Sequence, residues 1–437
     1  MNNDPRSHGL WEASAPSSPP SAVLKGDISA DVVIVGAGFT GLSAALHLAL
    51  DHRRVIVLEA EEIGFGGSGR NVGLVNAGMW IRPAELPRIL GEVHGNRLLS
   101  QLGEAPNLVF DLVARYRIEC QAVRAGTLHC AVNEGGLKEI RSRAQQWKAL
   151  GAPVELLDAA TTRAKVGGAA YRGALLDHRA GTIQPLAYAR GLAAAAVAEG
   201  AVIHTKSPVV EAVDLGAEWR VRTPTGTATA PQVIVATNAY STNAWEKVAD
   251  ELVRLPYFNL ATRPLSDALR RSILAGGEGL WDTRSILSSL RLDREGRMIF
   301  GSVGALREWD ASIHRNWARR ELLGLFPQLG AIQFDHEWYG WIGMTKDALP
   351  RFHRLGRNVI SMSGYNGRGI APGTTFGRDL ARLAAGRITD ADLSVPVTGL
   401  VPRAFRGMRE SFYEVGAAAA HLMDARINKA MVGGRST

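Results

Sequence analysis

Cysteine is nearly missing from this 437-residue sequence. Cys120 and Cys130 are the only two, ten positions apart, with no second pair and no clustered histidines around them. A structural zinc site is thereby excluded, no other metal site is expected, and both side chains read as reduced thiols. Long apolar runs are missing too. Ala187 to Ile203 is broken by Arg190 and Glu199, so it falls short of the roughly 18 uninterrupted apolar residues of a membrane helix. Met1 to Ser21 is rich in Ser, Pro and Asn and lacks the basic and apolar regions of a secretory signal, so a cytoplasmic location is expected. The formal charge is +8, but arginine is scattered, with one modest cluster at Arg403, Arg406 and Arg409 and no aromatic-studded basic motif. That pattern predicts a solvated basic surface and no nucleic-acid partner. No internal repeat is present.

At this length one hydrophobic core is stretched past its usual size, so two interlocked domains are expected. Apolar residues make up 46% and charged residues 21%, the balance of a folded globular chain. Residues 12–27, rich in Pro and Ser, read as a lead-in that packs as an extended arm or stays mobile. Asp31 to Val35 is a continuous apolar run of strand length. Glycines follow it at once, then the helical pattern Leu42, Ala45, Leu46, Ala49, and Val55 to Leu58 closes a βαβ unit.

Pro83 to Leu150 has mostly helical spacing, interrupted by a strand near Gly126 to Val132. Gln184 to Glu199 reads as a helix; Val202 to Val213, Trp219 to Thr223 and Gln232 to Ala236 read as strands. From Leu252 to Met344 the pattern is mainly β, with runs at Met298 to Val303 and Phe334 to Ile342 and a helix near Trp317 to Leu325. Val359 to Met362 is the last core strand, and Phe376 to Ala385 a helix. The fold class is therefore mixed α/β (α+β). A Rossmann-like dinucleotide domain, discontinuous in sequence, is expected over 28–95, 155–245 and 345–390. A second domain on a mostly antiparallel sheet with helices is expected over 96–154 and 246–344, with 1–27 as an N-terminal arm and 391–437 as a C-terminal helical extension.

The sharpest motif is DVVIVGAGFTGLSAALHLA followed by VIVLEA. Gly36 makes the tight turn, Gly38 lets backbone approach a pyrophosphate, and Gly41 lets the helix pack closely on the strand. Phe39 and Thr40 open a helix whose free N–H groups face the phosphates. Glu59, 18 residues past Gly41, can accept hydrogen bonds from the adenosine ribose, with Ala60 beside it. A second glycine-rich stretch, GFGGSGRNVG at Gly64 to Gly73, brings further amides and Ser68. A third, SMSGYNGRGIAPGTTFGRDLARLAAG at Ser361 to Gly386, reads as strand, glycine turn and helix. Its amides from Gly369 to Gly373 and its helix dipole would stabilise negative charge on the pyrimidine edge of a reduced flavin.

These residues resemble the D-amino-acid oxidase superfamily, in its glycine oxidase and sarcosine oxidase group, over nearly the whole chain from about residue 28 to residue 390. The lead-in with Trp11 and Glu12, the GFGGSGRN loop and the SGYNGRG loop look most like its gamma-glutamylputrescine oxidoreductase and L-pipecolate oxidase branches. The resemblance implies FAD, held by Gly36, Gly38, Phe39, Thr40, Gly41, Glu59 and Ala60. It adds Gly67, Ser68, Gly69, Arg70, Asn71 and Gly73 from the second stretch, and Gly364, Asn366, Gly367, Gly369, Ile370 and Ala371 from the third. By the same resemblance the backbone of Val210 meets the adenine, and Ala236 and Thr237 lie beside the cofactor.

Two departures stand out. The sarcosine oxidase branch attaches its flavin to a cysteine in the region matching Glu337 to Asp347. EWYGWIGMTKD has none, so FAD is expected to be noncovalent. That branch also places a lysine and a histidine near the flavin, and a further lysine on the substrate carboxylate. The resemblance matches these positions to Ile299, Val303 and Ala371, which implies a different substrate.

The implied activity is oxidation of the C–N bond of a small amine or amino acid (CH–NH or CH–NH2 donor) by hydride transfer to flavin N5. The imine then hydrolyses, and molecular oxygen or another acceptor, a quinone or protein carrier, reoxidises the cofactor. Tyr257, Tyr339, Trp341, Tyr365, Asn366 and Arg368 are the catalytic candidates. Trp338 and Phe258 could add to an aromatic cage for an alkyl amine. Arg70, Arg368 or Arg263 could hold a substrate carboxylate; His178 and His336 read as structural.

Overall fold

The computed structural model describes residues 7–168 and 171–433, with side chains to Met423. Val32–Val35 and Val55–Leu58 are wholly buried strands, as continuous Val/Ile runs require when both faces of a parallel sheet are covered. They pair in parallel, Val35 opposite Leu58, and the Phe39–Leu50 helix connects them. The six-stranded sheet runs Arg351–Gly356, Val359–Ser363, Gln232–Val235, Val32–Val35, Val55–Leu58, Val202–His204. Only the Arg351–Gly356 edge strand is antiparallel.

Strand alternation divides the core between the two faces of this sheet. Val32, Ile34, Val55 and Val57 pack under helices, among them Phe39–Leu50, Leu86–Arg115, Pro185–Ala198 and Ile370–Ala384. Val33, Val35, Ile56 and Leu58 meet a small four-stranded sheet through Val221, Ala228 and Ala230.

The largest sheet has eight strands in the order Phe334–Met344, Val253–Pro264, Arg297–Val303, Ser288–Leu292, Gly279–Asp282, Thr127–Ala131, Gly173–Asp177, Val154–Leu157. All its neighbours are antiparallel except Gly279–Asp282 beside Thr127–Ala131. The strands Val154–Leu157 and Gly173–Asp177 belong here, so residues 155–157 and 173–177, expected with the dinucleotide part, pair within this sheet instead. The run Ala174 to Leu176 is too short for periodicity to reveal the partner. The late helix begins at Ile370, six residues before Phe376, because the Gly-Ile-Ala-Pro turn already has helical geometry. The C-terminal extension is helical from Arg406.

The N-terminal lead-in differs most from expectation. Leu10–Ser14 is a short helix with Leu10 and Trp11 buried. The Trp11 ring lies edge-on to Trp338 at 5.3 Å, and its Nε1–H donates to Asn71 O at 2.8 Å. Glu12 receives both its bonds, 2.7 and 2.8 Å, from Arg190 Nη2, and His8 and Arg190 hold its carboxyl down at about 2. The lead-in thus clamps the second glycine-rich loop. Trp11→Ala should cost about 3–5 kcal/mol in urea denaturation and weaken dinucleotide retention. Trp11→Phe, which loses only the N–H, should cost about 1 kcal/mol. Unchanged dinucleotide affinity in Trp11→Ala would refute the clamp.

Candidate functional site

A cavity of about 850 Å³ opens beyond the carboxyl ends of the parallel strands and is walled opposite by the edge of the eight-stranded sheet. This is the place where open α/β sheets bind ligands, and its size falls in the upper part of the roughly 300–1,000 Å³ range of ligand pockets.

Three backbone turns form the near wall. Gly36 has φ +101°, and a Cβ on Gly41 would overlap Gly36 O, so the helix sits as close to the strand as backbone allows. Gly38 caps that helix; a Cβ on it would stand 2.8 Å from Ser68 Oγ. Ser68 Oγ in turn accepts from Phe39 N at 3.0 Å. Glu59 accepts from Ala37 N at 2.7 Å and Glu61 N at 3.0 Å, and burial raises its carboxyl pKa. Ala60 lies beside it on the wall.

In the second turn Gly67, Ser68, Arg70 and Asn71 line the cavity. Asn71 Nδ2 donates to Gly67 O and Ser68 O at 3.0 and 2.9 Å, and Gly73 N donates to Asn71 Oδ1 at 2.9 Å. Gly69 and Gly73 support rather than line: Gly69 N donates to Gly64 O at 2.8 Å, and Gly73, φ +89°, lies against Ile183 O.

The third turn carries Gly364, Asn366 and Gly367 at φ +77°, +52° and +83°. Gly367, Gly369 and Ile370 line the cavity, whereas Gly364 and Ala371 pack behind them. The expectation of amides from Gly369 to Gly373 narrows here. Gly373 N donates to Gly369 O at 3.0 Å and Pro372 has no N–H, so Ile370 and Ala371 are the residues of the first turn whose N–H groups lack an intrahelical acceptor.

Two residues expected to be catalytic, Tyr365 and Asn366, line the cavity and also tie its wall together. Asn366 Oδ1 accepts from Thr345 N at 2.8 Å while its Nδ2 donates to Gly364 O at 2.5 Å. The Tyr365 hydroxyl pairs with Thr40 Oγ1 at 2.8 Å, tying the third turn to the first. Tyr257 and Trp341 line the cavity. The Tyr257 hydroxyl pairs with Ser289 Oγ at 2.6 Å, and burial pushes its pKa up.

Tyr339 does not reach the cavity. It lies two residues deeper along the strand than Trp341 and packs on the core beneath the sheet, its ring 6.3 Å from that of Trp341. Trp338 is fully buried against Trp11, and Phe258 stacks on His314 at 5.0 Å; neither joins a cage. Val210 N donates to Arg222 O at 2.9 Å, and Pro208 and Val209 line the cavity in its place. Ala236, Thr237 and Val303 line it, whereas Ile299 is buried with Trp11. Arg263 pairs with Asp335 at 3.2 Å, and His178 lies 3.7 Å from Glu155; these two and His336 lie off the cavity wall.

Residues missed in the sequence complete the far wall: Trp80, Tyr240, Trp281, Arg284, Ser285 and Ser289. The Arg368 guanidinium sits in the corner between the Trp80 and Trp281 rings, 4.5 and 4.6 Å from their centres, the two rings meeting edge to face at 5.2 Å. Arg368 Nη1 donates to Ala77 O at 3.3 Å, Nε and Nη2 are buried without a hydrogen-bond partner, and the side chain makes no ion pair among the described residues. Burial, then neighbouring Arg143, lowers its pKa to about 9. Among the described residues no cluster of three or more His, Cys, Asp or Glu side chains is placed to hold a metal ion. No helix among them is long and apolar enough to cross a membrane.

The family model described as FAD dependent oxidoreductase, DAO, matches residues 31–383. Gamma-glutamylputrescine oxidoreductase of Escherichia coli K12 is 35% identical over 424 residues, covering 95% of this chain and 97% of that protein. The solved structure of glycine oxidase from Geobacillus kaustophilus superposes with TM-score 0.68 at 20% identity, over 83% of this chain and 96% of that one. L-proline dehydrogenase from P. horikoshii gives 0.67 at 17% identity, over 86% and 96%. The two structural likenesses carry the fold.

Ser68→Ala leaves the Phe39 N–H without its acceptor, and should weaken dinucleotide binding about tenfold by titration. Asp282 underlies the far wall: its Oδ1 accepts from Arg284 N at 3.1 Å and Ser288 N at 3.3 Å, and burial raises its pKa from 3.8 to about 6. Between those values the folded state holds a proton that the unfolded state has released, so stability falls as pH rises through this window. Asp282→Asn should flatten that decline in thermal melts; a decline of the same slope in the variant would refute the assignment.

Proposed function

The chain belongs to the DAO family of FAD dependent oxidoreductases, and from that premise we propose that it oxidises the carbon–nitrogen bond of a small amine or amino acid. The residues fit FAD: two helix N-termini face one cavity, and Gly38 leaves open, beside Ser68, space a Cβ would fill. Gly36, Gly38, Phe39 and Ser68 would hold the pyrophosphate, Glu59 the ribose, and Arg70, Asn71, Gly367, Gly369 and Ile370 the ring. Neither cysteine lines the cavity, which supports noncovalent holding. When bound, FAD supplies the hydride acceptor and passes the electrons to oxygen, giving hydrogen peroxide.

The observation that carries the reading is the composition of the cavity wall. Among the described lining residues there is no His, Lys, Cys or Asp, and the two glutamates, Glu59 and Glu61, belong to the ribose end. With no base at the aromatic end, the amine binds neutral, its α-carbon loses hydride, and the resulting imine is hydrolysed by water. Trp80, Trp281, Trp341 and Tyr257 exclude water and pack the alkyl part. Arg368 offers its guanidinium to a carboxylate on an amino-acid substrate. The same lack of a lysine favours a second reading, a dehydrogenase that passes electrons to a quinone or protein carrier. Under either reading the proposed location is the cytoplasm.

Anaerobic mixing with polyamines, N-methyl amino acids, cyclic imino acids and D-amino acids should bleach the flavin for one class, at a rate that rises between about pH 6 and pH 10 as the amine loses its proton. A pH-independent rate would overturn the neutral-amine step. Peroxide formation in air separates the two acceptors. Arg368→Ala should raise the dissociation constant of a carboxylate-bearing substrate about 10- to 100-fold and leave that of an uncharged amine unchanged; equal losses for both would remove Arg368 from the carboxylate role.

A further inference from the structure

The C-terminal helix, Arg406–Gly433, has two faces, and only one is used by the fold. On the inner face Arg406 pairs with Asp250 at 2.7 Å, Glu410 Oε1 accepts from Arg254 N at 2.9 Å, and Glu414 pairs with Arg307. Ala417, Ala418 and His421 are buried there. His421 stacks on Trp317 at 3.7 Å, and its Nδ1 shares a hydrogen with His314 Nδ1 at 2.8 Å. The outer face is bare: Phe405, Met408 and Phe412 are 72%, 70% and 73% exposed, and Val415 and Leu422 continue the line. Met408, Phe412, Val415 and Leu422 recur at steps of four, three and seven, a single stripe about 21 Å long at 1.5 Å per residue, with Phe405 just ahead of the helix at its start.

The charges around the stripe have one sign. Arg409 lies exposed beside it and Arg403 half-exposed at its start, while Glu410 and Glu414 are spent on the inner face. Beyond Met423 the sequence adds Arg426, Lys429 and Arg435 against Asp424, in a chain of net charge +8. The spacing would suit a second copy of the helix, but the flanking positions Arg409, Ser411 and Gly416 offer no acid, so a twofold pairing would answer cation with cation.

We propose that this face docks the protein on an anionic lipid surface. The apolar stripe enters the headgroup boundary and the arginines meet lipid phosphate. The inference concerns a surface remote from the cavity and does not depend on the substrate. It would place the enzyme beside membrane-borne acceptors.

The test is sedimentation of the FAD-loaded full chain with vesicles of phosphatidylcholine alone, or with roughly 30% phosphatidylglycerol, at about 0.1 M salt. Binding to the anionic vesicles should exceed binding to the neutral ones at least about tenfold and fall as salt is raised. Phe405→Asp with Phe412→Asp should abolish it at unchanged flavin content and bleaching rate, and Arg403→Glu with Arg409→Glu should reduce it. Wild-type protein that stays in the supernatant with both lipids overturns the proposal, as does a double variant that binds as well as wild type. A dimer in ultracentrifugation that Phe412→Asp dissociates, with no vesicle binding, assigns the face to a second copy and also overturns it.

Discussion

The arrangement rests on one close approach: Gly41 lies so near Gly36 O that no side chain fits between them. That contact fixes the Phe39–Leu50 helix against the Val32–Val35 strand and aims the helix N-terminus into the cavity. A second close approach follows. A Cβ on Gly373 would lie 3.1 Å from Thr40 Oγ1, and one on Gly377 would collide with Thr40 O, so the Ile370–Ala384 helix lies directly on the first. Ser43 Oγ donates to Thr374 O at 2.6 Å across that seam. Two positive helix ends are thereby held side by side, and the electrostatics of the cavity follow from glycine sterics.

Much of this frame was legible. Continuous Val/Ile runs, GxGxxG and an acid at the end of the second strand are local signals, each with one physical meaning. The residues that could not be read depend on partners distant in sequence. Nothing in LWEAS says that Trp11 will meet Trp338 and Asn71, because a five-residue helix has too little periodicity to declare its face. Trp80 and Trp281 meet Arg368 only in the folded chain, one from a loop and the other from the Gly279–Asp282 strand. Val210 missed by one or two positions, as irregular chain carries no register. Tyr339 misled for a different reason: it pairs with Phe258, and strand alternation puts both on the sheet face opposite Tyr257, away from the cavity.

The second glycine-rich loop shows how the two halves of the molecule are coupled. Arg70 O accepts from Asn259 Nδ2 at 2.8 Å and from Trp338 Nε1 at 3.2 Å, both on strands of the large sheet. A Cβ on Gly340 would stand 3.0 Å from Arg70 Cβ. The loop that lines the cavity beside the first helix is therefore also bonded to the large sheet, with the N-terminal helix packed over it. Arg291, buried and held near pKa 10 by desolvation, donates from Nη1 to Ile183 O and lies over the Trp11 ring at 5.6 Å, extending the same clamp to a third segment.

Such coupling separates what is constant from what can vary. The three turns and the two helix ends constrain one another through backbone contacts that tolerate almost no substitution, so this end of the cavity has little freedom. The far wall has more: Trp80, Trp281, Arg284 and Ser285 come from loops or strand ends whose side chains face the cavity without holding the backbone of the cradle. Relatives named for a glutamylated polyamine, for glycine and for proline share this frame. On the proposed function, substrate identity rests on a few far-wall side chains, and the Arg368 guanidinium, held against the Trp80 and Trp281 rings with Nε and Nη2 unpartnered, discriminates more strongly than an apolar residue, because leaving it unpaired in a dry cavity costs more than a lost apolar contact.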